Sequence, residues 1–118
     1  MESSAGVTWT VEFHDFEAVE KALKRLTVTQ LAEAVIGLKT DLEVFGIDLF
    51  EFASARWLGG GLAEYRHRRS PDVLVRFFFC FRDGKCIVVL SAYDKKRSPS
   101  KNRQQLEIAN ARKIMKTL

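Results

Sequence analysis

Apolar and polar positions along this chain change their period several times. Val7 to Phe13 (VTWTVEF) alternates with a period of two and is rich in β-formers, which predicts a first strand. From about Asp15 the period becomes helical: Phe16, Val19, Leu23 and Leu26 recur at steps of three and four, and Glu17 and Glu20 fall early, where the helix dipole favours acidic groups. Thr27 or Thr29 can cap a second helix whose stripe of Leu31, Val35, Leu38, Leu42 and Phe45 continues the same spacing, with Gly46 placed to end it. Two helices with so short a link predict an antiparallel hairpin packed on the domain's own sheet. Residues 47–61 read as a longer connection, its glycines Gly59 to Gly61 a flexible lead into the sheet. Leu62–Arg69, Val73–Arg82 and Lys85–Tyr93 then predict an antiparallel meander with turns at Ser70-Pro71-Asp72 and Asp83-Gly84. Its last strands are apolar on both faces, which requires cover on both sides: the helical hairpin on one, and the final helix, Lys101–Lys116, near an edge or on the other. The predicted architecture is α+β in the order β-α-α-β-β-β-α, a small, antiparallel-dominated twisted sheet in one domain over residues 1–118.

Composition narrows this picture. With 47% apolar and 11% aromatic residues in 118, the chain can bury one core. It has no apolar run of about 18 residues, and MESSAGVTW lacks the basic-then-apolar layout of a secretory signal, so a cytoplasmic protein without membrane contact is expected. A two-residue Asp83-Gly84 turn would set Phe81 opposite Cys86 and Cys80 opposite Ile87, placing the two thiols on opposite faces. Two cysteines and two dispersed histidines, His14 and His67, offer no spacing typical of a metal site, so neither a metal nor another cofactor is expected.

The net charge of +4 conceals two halves of opposite sign. Residues 1–53 carry four Lys/Arg against ten Asp/Glu, a balance of −6, whereas residues 54–118 carry fifteen against five, a balance of +10. The basic half coincides with the strands and the last helix, as in a protein that turns one face to polyanions. Within it Arg76 interrupts the apolar run VLVRFFFCF, and a charge inside such a strand needs an anionic or hydrogen-bonding partner. Phosphate is one candidate; Glu64 on the neighbouring strand is another. The two-residue turn would set Arg76 opposite Ser91 and Tyr93 opposite Leu74, with Arg66 approaching from the strand before and Lys95, Lys96 and Arg97 following the strand end. RNA cleavage without a metal needs a base for the 2′-hydroxyl proton, cations for the phosphorane and an acid for the 5′ oxygen. Arg66 and Arg76 suit the phosphorane, because a guanidinium fork donates to two phosphate oxygens at once. Tyr93 would stack on a base or donate a proton, and Lys95 or Lys96 would transfer one if neighbouring cations depress its pKa. His67 is a weaker candidate base, since alternation turns it away from Arg66, although Arg66 and Arg68 should lower its pKa. Arg56, Arg68, Arg69, Arg97, Lys101 and Arg103 complete the expected RNA-binding surface.

The ordered set of motifs resembles the RelE/HigB-like toxins of bacterial type II toxin–antitoxin systems, especially their phage-derived HigB-like branch. The resemblance rests on the WTVEF strand, two helices, the segment Arg56-Trp57-Leu58-Gly59-Gly60-Gly61-Leu62-Ala63-Glu64-Tyr65-Arg66, and the Arg-aromatic strand at Arg76-Phe77-Phe78-Phe79. It rests further on Leu90-Ser91-Ala92-Tyr93-Asp94-Lys95-Lys96, which is similar to the family's leucine-histidine-glycine-phenylalanine-x-lysine-lysine signature, followed by Pro99 and the helix bearing QLEIANARK. What it implies is a RelE-like fold and a toxin that enters the ribosomal A site and cleaves mRNA, held inactive by a cognate antitoxin that carries a helix-turn-helix domain. By that likeness Arg66 and Arg76 match the basic strand positions, and Tyr93, Lys95 and Lys96 the signature. Ser91 stands where the branch has histidine, so a histidine base is missing there, and Arg56 replaces a lysine. That gap motivates an alternative: a member of the same fold, similar to the ParE-like branch, that acts by binding, for example on gyrase, or a plain nucleic-acid-binding module.

Overall fold

Local chemistry sets the helix boundaries. In the computed structural model, which describes residues 9–118, β1 (Thr10–Phe13) is followed by α1 (Phe16–Ala22), whose N-cap Asp15 accepts a hydrogen bond from the Ala18 amide at 3.1 Å. Thr27, rather than Thr29, caps α2 (Val28–Phe45): its hydroxyl accepts from the Gln30 amide and Gln30 Oε1 accepts from the Thr27 amide, a reciprocal pair that satisfies two otherwise orphaned donors. Gly46 ends α2 at φ +50°, and a Cβ there would meet the Trp9 indole nitrogen at 1.8 Å, so only glycine fits. A short 3-10 helix, Gly46–Glu51, leads on to the remaining strands. Val7 and Thr8, the predicted start of the first strand, lie outside the described residues.

The sheet has five strands where the sequence predicted four. The additional one is β2 (Ala55–Gly59), which pairs with β3 (Leu62–Ser70), so Gly60 and Gly61 form a tight hairpin turn instead of a flexible lead. β4 (Val73–Arg82) and β5 (Cys86–Asp94) follow, and the spatial order is β1-β5-β4-β3-β2, antiparallel throughout except for the parallel β1–β5 pair. The β4–β5 loop holds three residues, Asp83, Gly84 and Lys85, the last two at φ +76° and +57°. It therefore sets Arg82 opposite Cys86, Phe81 opposite Ile87 and Cys80 opposite Val88. The two free cysteines consequently share a face of the sheet, contrary to the two-residue turn expected. A bulge between Phe78 and Phe79 shifts the pairing again, and Arg76 lies opposite Tyr93 instead of Ser91.

Both faces are covered, as apolar strands require. The helical hairpin buries Val19, Leu23, Leu38 and Leu42 against Val75, Phe77, Phe79 and Val89. On the opposite face α3 (Lys101–Lys116), capped by Ser100, sets Ala111 and the partly buried Ile108 and Met115 on Leu62, Phe78, Cys80 and Leu90. Of the stripe expected on α2, Leu38 and Leu42 are buried with Ala34, while Phe45 stays 39% exposed.

Candidate functional site

Alternation along β3 and β4 sends Tyr65, Val75 and Phe77 to the hairpin side and Glu64, Arg66, Arg68 and Arg76 to the side of α3. The helix covers only part of that side. At the end where β3 turns into β4, the uncovered sheet forms a cleft of about 440 Å³ walled by Ser54, Arg66, Arg68, Leu74 and Arg76. Register makes a row across three strands here: Arg66 opposite Arg76, and Arg76 opposite Tyr93.

The anion demanded by Arg76 is Glu64. This carboxylate is fully buried, and its Oε1 accepts from Arg56 Nε at 3.0 Å and from Arg76 Nη1 at 3.3 Å, while Oε2 has no partner among the described residues. One buried negative charge thus orients two guanidiniums, and the trio keeps one positive charge in excess. Burial lowers the Arg76 pKa, Glu64 opposes that, and Arg66 adds to it. Arg66 is exposed and donates from Nη2 to the Ala53 carbonyl at 2.7 Å. Arg68 is exposed and lines the cleft without an ion-pair partner among the described residues.

Tyr93 is buried, its ring stacked on Phe78 at 5.9 Å, so that face is occupied and not free to stack on a nucleobase. Its buried hydroxyl has no hydrogen-bond partner among the described residues, and burial pushes its pKa up, with Glu64 and Glu107 reinforcing and Arg76 opposing. The phenol therefore stays protonated at neutral pH. Lys95 extends from the strand end: its amide donates to the Leu74 carbonyl at 2.9 Å, and Nζ donates to Gln104 Oε1 of α3 at 3.1 Å. Burial first, then Arg76 and Arg56, hold its pKa below the ordinary lysine value, against Glu64.

The strap from Lys95 to Arg97 is anchored by residues that periodicity did not single out. Asp94 is only 3% exposed and accepts from Arg25 Nε at 2.6 Å, from Arg25 Nη2 at 3.2 Å and from the Arg97 amide at 3.1 Å. Arg25, in the link between α1 and α2, also donates to the Asp72 carbonyl at 2.9 Å, tying three segments together. Arg112 of α3 donates to the Leu58 and Gly59 carbonyls at 2.8 and 2.9 Å, fixing the helix to the β2–β3 turn.

Of the residues expected on a nucleic-acid face, Arg56, Arg66, Arg68, Arg76, Tyr93 and Lys95 come together at one end of the sheet. Lys96 and Arg97 are exposed on the strap, and Lys101 is exposed at the start of α3. Arg103 pairs with Glu107 at 2.8 Å. Arg69 leaves the group: beside the β3 bulge it reaches Glu33 of α2 at 3.7 Å. His67 faces the hairpin, and its depressed pKa comes first from burial, with Arg69 adding to it, rather than from Arg66 and Arg68. Among the described residues no group of three or more His, Cys, Asp or Glu side chains is placed to hold a metal ion, and no helix is long and apolar enough to cross a membrane.

No curated protein and no solved structure matches the chain. A family model described as phage derived protein Gp49-like (DUF891) matches residues 15–116, which run from the cap of α1 to the end of α3 and include every residue of the cleft. The chain therefore belongs to the Gp49-like family of phage-derived proteins.

Proposed function

We propose that this protein is a RelE/HigB-like toxin of a type II toxin–antitoxin pair, a metal-independent endoribonuclease that cuts mRNA on the ribosome and is silenced by an antitoxin with a helix-turn-helix domain. The observation that carries this reading is the cross-strand row Arg66–Arg76–Tyr93 with Lys95 at the strand end, its two arginines lining an open cleft. Lys95, in its free-amine form, takes the proton of the ribose 2′-hydroxyl, and the 2′ oxygen attacks the adjacent phosphorus. Arg66 and Arg76 stabilise the charge on the phosphorane. The bond from phosphorus to the 5′ oxygen breaks, and the exposed Lys96 ammonium protonates the leaving oxygen, giving a 2′,3′-cyclic phosphate and a 5′-hydroxyl end. Exchange with solvent returns both lysines to their starting forms. Tyr93, buried and protonated, supports Arg76 from below instead of touching the base.

Inducible expression in a bacterium tests the reading. The expected result is growth arrest with new 5′ ends on transcripts, lost in Arg76→Ala and Lys95→Ala, and relieved by co-expression of the antitoxin. Soluble protein without arrest overturns it. Arrest with intact mRNA and inhibited supercoiling replaces it with the gyrase-binding alternative.

A further inference from the structure

A second cavity, of about 240 Å³, lies on the other side of the Arg76–Tyr93 pair, where α1, the strap after β5 and α3 meet. Its walls include Lys21, Tyr93, Asp94, Arg97, Ser98 and Arg103. Three cations thus converge from three separate elements. Lys21 stands in the last turn of α1, on the acidic half of the chain, and no pattern in the sequence links it to the basic face. Two carboxylates are near, and both are already neutralised: Asp94 by the two-pronged contact of Arg25, and Glu107 by Arg103. Lys21 and Arg97 have no ion-pair partner among the described residues, so the cavity keeps two uncompensated positive charges. A site with that surplus and a hydroxyl from Ser98 suits a phosphate group.

Register connects this cavity with the first cleft. Arg76 walls the cleft, Tyr93 walls the cavity, and the two residues are direct cross-strand neighbours on strands about 4.8 Å apart. The strap bearing Lys95, Lys96 and Arg97 runs between them at the same end of the sheet. We infer that the cavity is a second phosphate subsite, in which Lys21, Arg97 and Arg103 grip the backbone phosphate of an RNA strand next to the one in the Arg66–Arg76 cleft. This rests on the nuclease reading above and adds to it a direction for the strand, from the β3–β4 cleft across the strap toward α1.

The test uses an RNA oligonucleotide with 2′-O-methyl riboses, which lacks the nucleophile and so binds without being cut, titrated over a series of salt concentrations. Lys21→Ala and Arg97→Ala are each expected to weaken binding uniformly across sequences and to reduce the slope of log affinity against log salt by about 0.7, the value for one lost single-strand phosphate contact. Lys21→Arg should restore the slope. If both alanine variants keep the wild-type slope while Arg76→Ala lowers it, the subsite is wrong and the first cleft stands. If they lower the slope but the wild-type protein makes no new 5′ ends in cells, the subsite stands and the cleavage reading falls. Inorganic phosphate that perturbs the amide resonances of Lys21 and Ser98, with no effect of either alanine variant on RNA binding, marks a free-anion site and overturns the RNA assignment. Failure of the wild type to bind the oligonucleotide overturns the subsite, while new 5′ ends in cells would leave the cleavage reading standing.

Discussion

The two faces of the sheet use the same strands to opposite ends. On the hairpin side, Val75, Phe77 and Phe79 of β4 are fully buried in an apolar cluster beneath the hairpin. On the α3 side, Phe78 and Cys80 are buried just as well, but two residues further toward the β3–β4 turn the same strand presents Arg76 to an open cleft. Parity along one strand therefore separates what holds the fold from what lines the cleft, and the boundary on the second face is the end of α3's cover. A buried Glu64 at that boundary is the structural counterpart of the change: it aims two arginines without giving up the excess of positive charge. Such a carboxylate is costly to bury unless paired, which ties the geometry of the cleft to the stability of the fold.

The largest expected effect comes from crossing the parity on β4. Phe77→Ala removes a fully buried ring beneath the hairpin and should cost about 3–5 kcal/mol in urea unfolding. Arg76→Ala, one residue away, leaves the buried Glu64 to Arg56 alone and should cost less, about 1–3 kcal/mol, and yet abolish growth arrest. Equal losses of stability from the two variants would show that the faces are not specialised in this way. Next in size is Glu64→Gln, which keeps the shape but removes the charge between Arg56 and Arg76. It should destabilise by about 1–3 kcal/mol, because Arg76 is only 13% exposed and loses its counter-ion. At the same time it should steepen the salt dependence of RNA binding, since two guanidiniums are released to phosphate. Loss of stability together with weaker RNA binding would mean that orientation of the arginines matters more than their charge.

Smaller again is Arg25→Ala. The guanidinium is 37% exposed, so solvent screens part of its pairing with Asp94, and a loss of about 1 kcal/mol is expected. Cleavage should fall further than that figure suggests, because Asp94 also accepts from the Arg97 amide and so sets the course of the strap carrying Lys95 and Lys96. Arg25→Lys, which keeps charge but not the two-pronged contact, should recover stability better than activity. Equal recovery of both would reduce Arg25 to a surface pair.

How much of this was legible beforehand depends on the range of the interactions. The apolar run VLVRFFFCF and the helical spacing in residues 16–45 are local, and they locate β4 and both helices of the hairpin, while the charge count marks the basic half. A two-residue turn misplaces the β4–β5 pairing by one position next to the turn, where Lys85 at positive φ adds a residue, and by two beyond the bulge after Phe78. Neither has a signal in the hydrophobic pattern. β2 escapes the pattern since five residues ending in glycine, with Arg56 and Trp57 half exposed, carry too little periodicity to register as a strand. Adjacent predicted strands make Glu64 a candidate partner for Arg76, but that it serves Arg56 as well depends on β2. Arg25 and Asp94 are 69 positions apart, and only the folded chain brings them within 2.6 Å.

The finest comparison sets His67 against its neighbours on β3. Arg66 and Arg68 face the cleft, while His67 points to the hairpin, its Nε2 buried without a partner among the described residues. Burial holds its pKa below the ordinary 6.5, with Arg69 acting in the same direction and Glu33 and Asp41 opposing. The unfolded chain therefore binds a proton at a pH where the folded one does not, so stability is complete above about pH 6.5 and declines as pH falls from there toward the depressed native value. Urea unfolding of the wild type between about pH 7.5 and 5.5 should show that decline, and His67→Gln should flatten it, by less than any substitution above. A slope that persists in the variant would place the proton uptake on another group. If His67→Gln also leaves RNA cleavage intact, the cleft draws its proton carrier from the strap, and the side of β3 that packs on α2 takes no part in the chemistry.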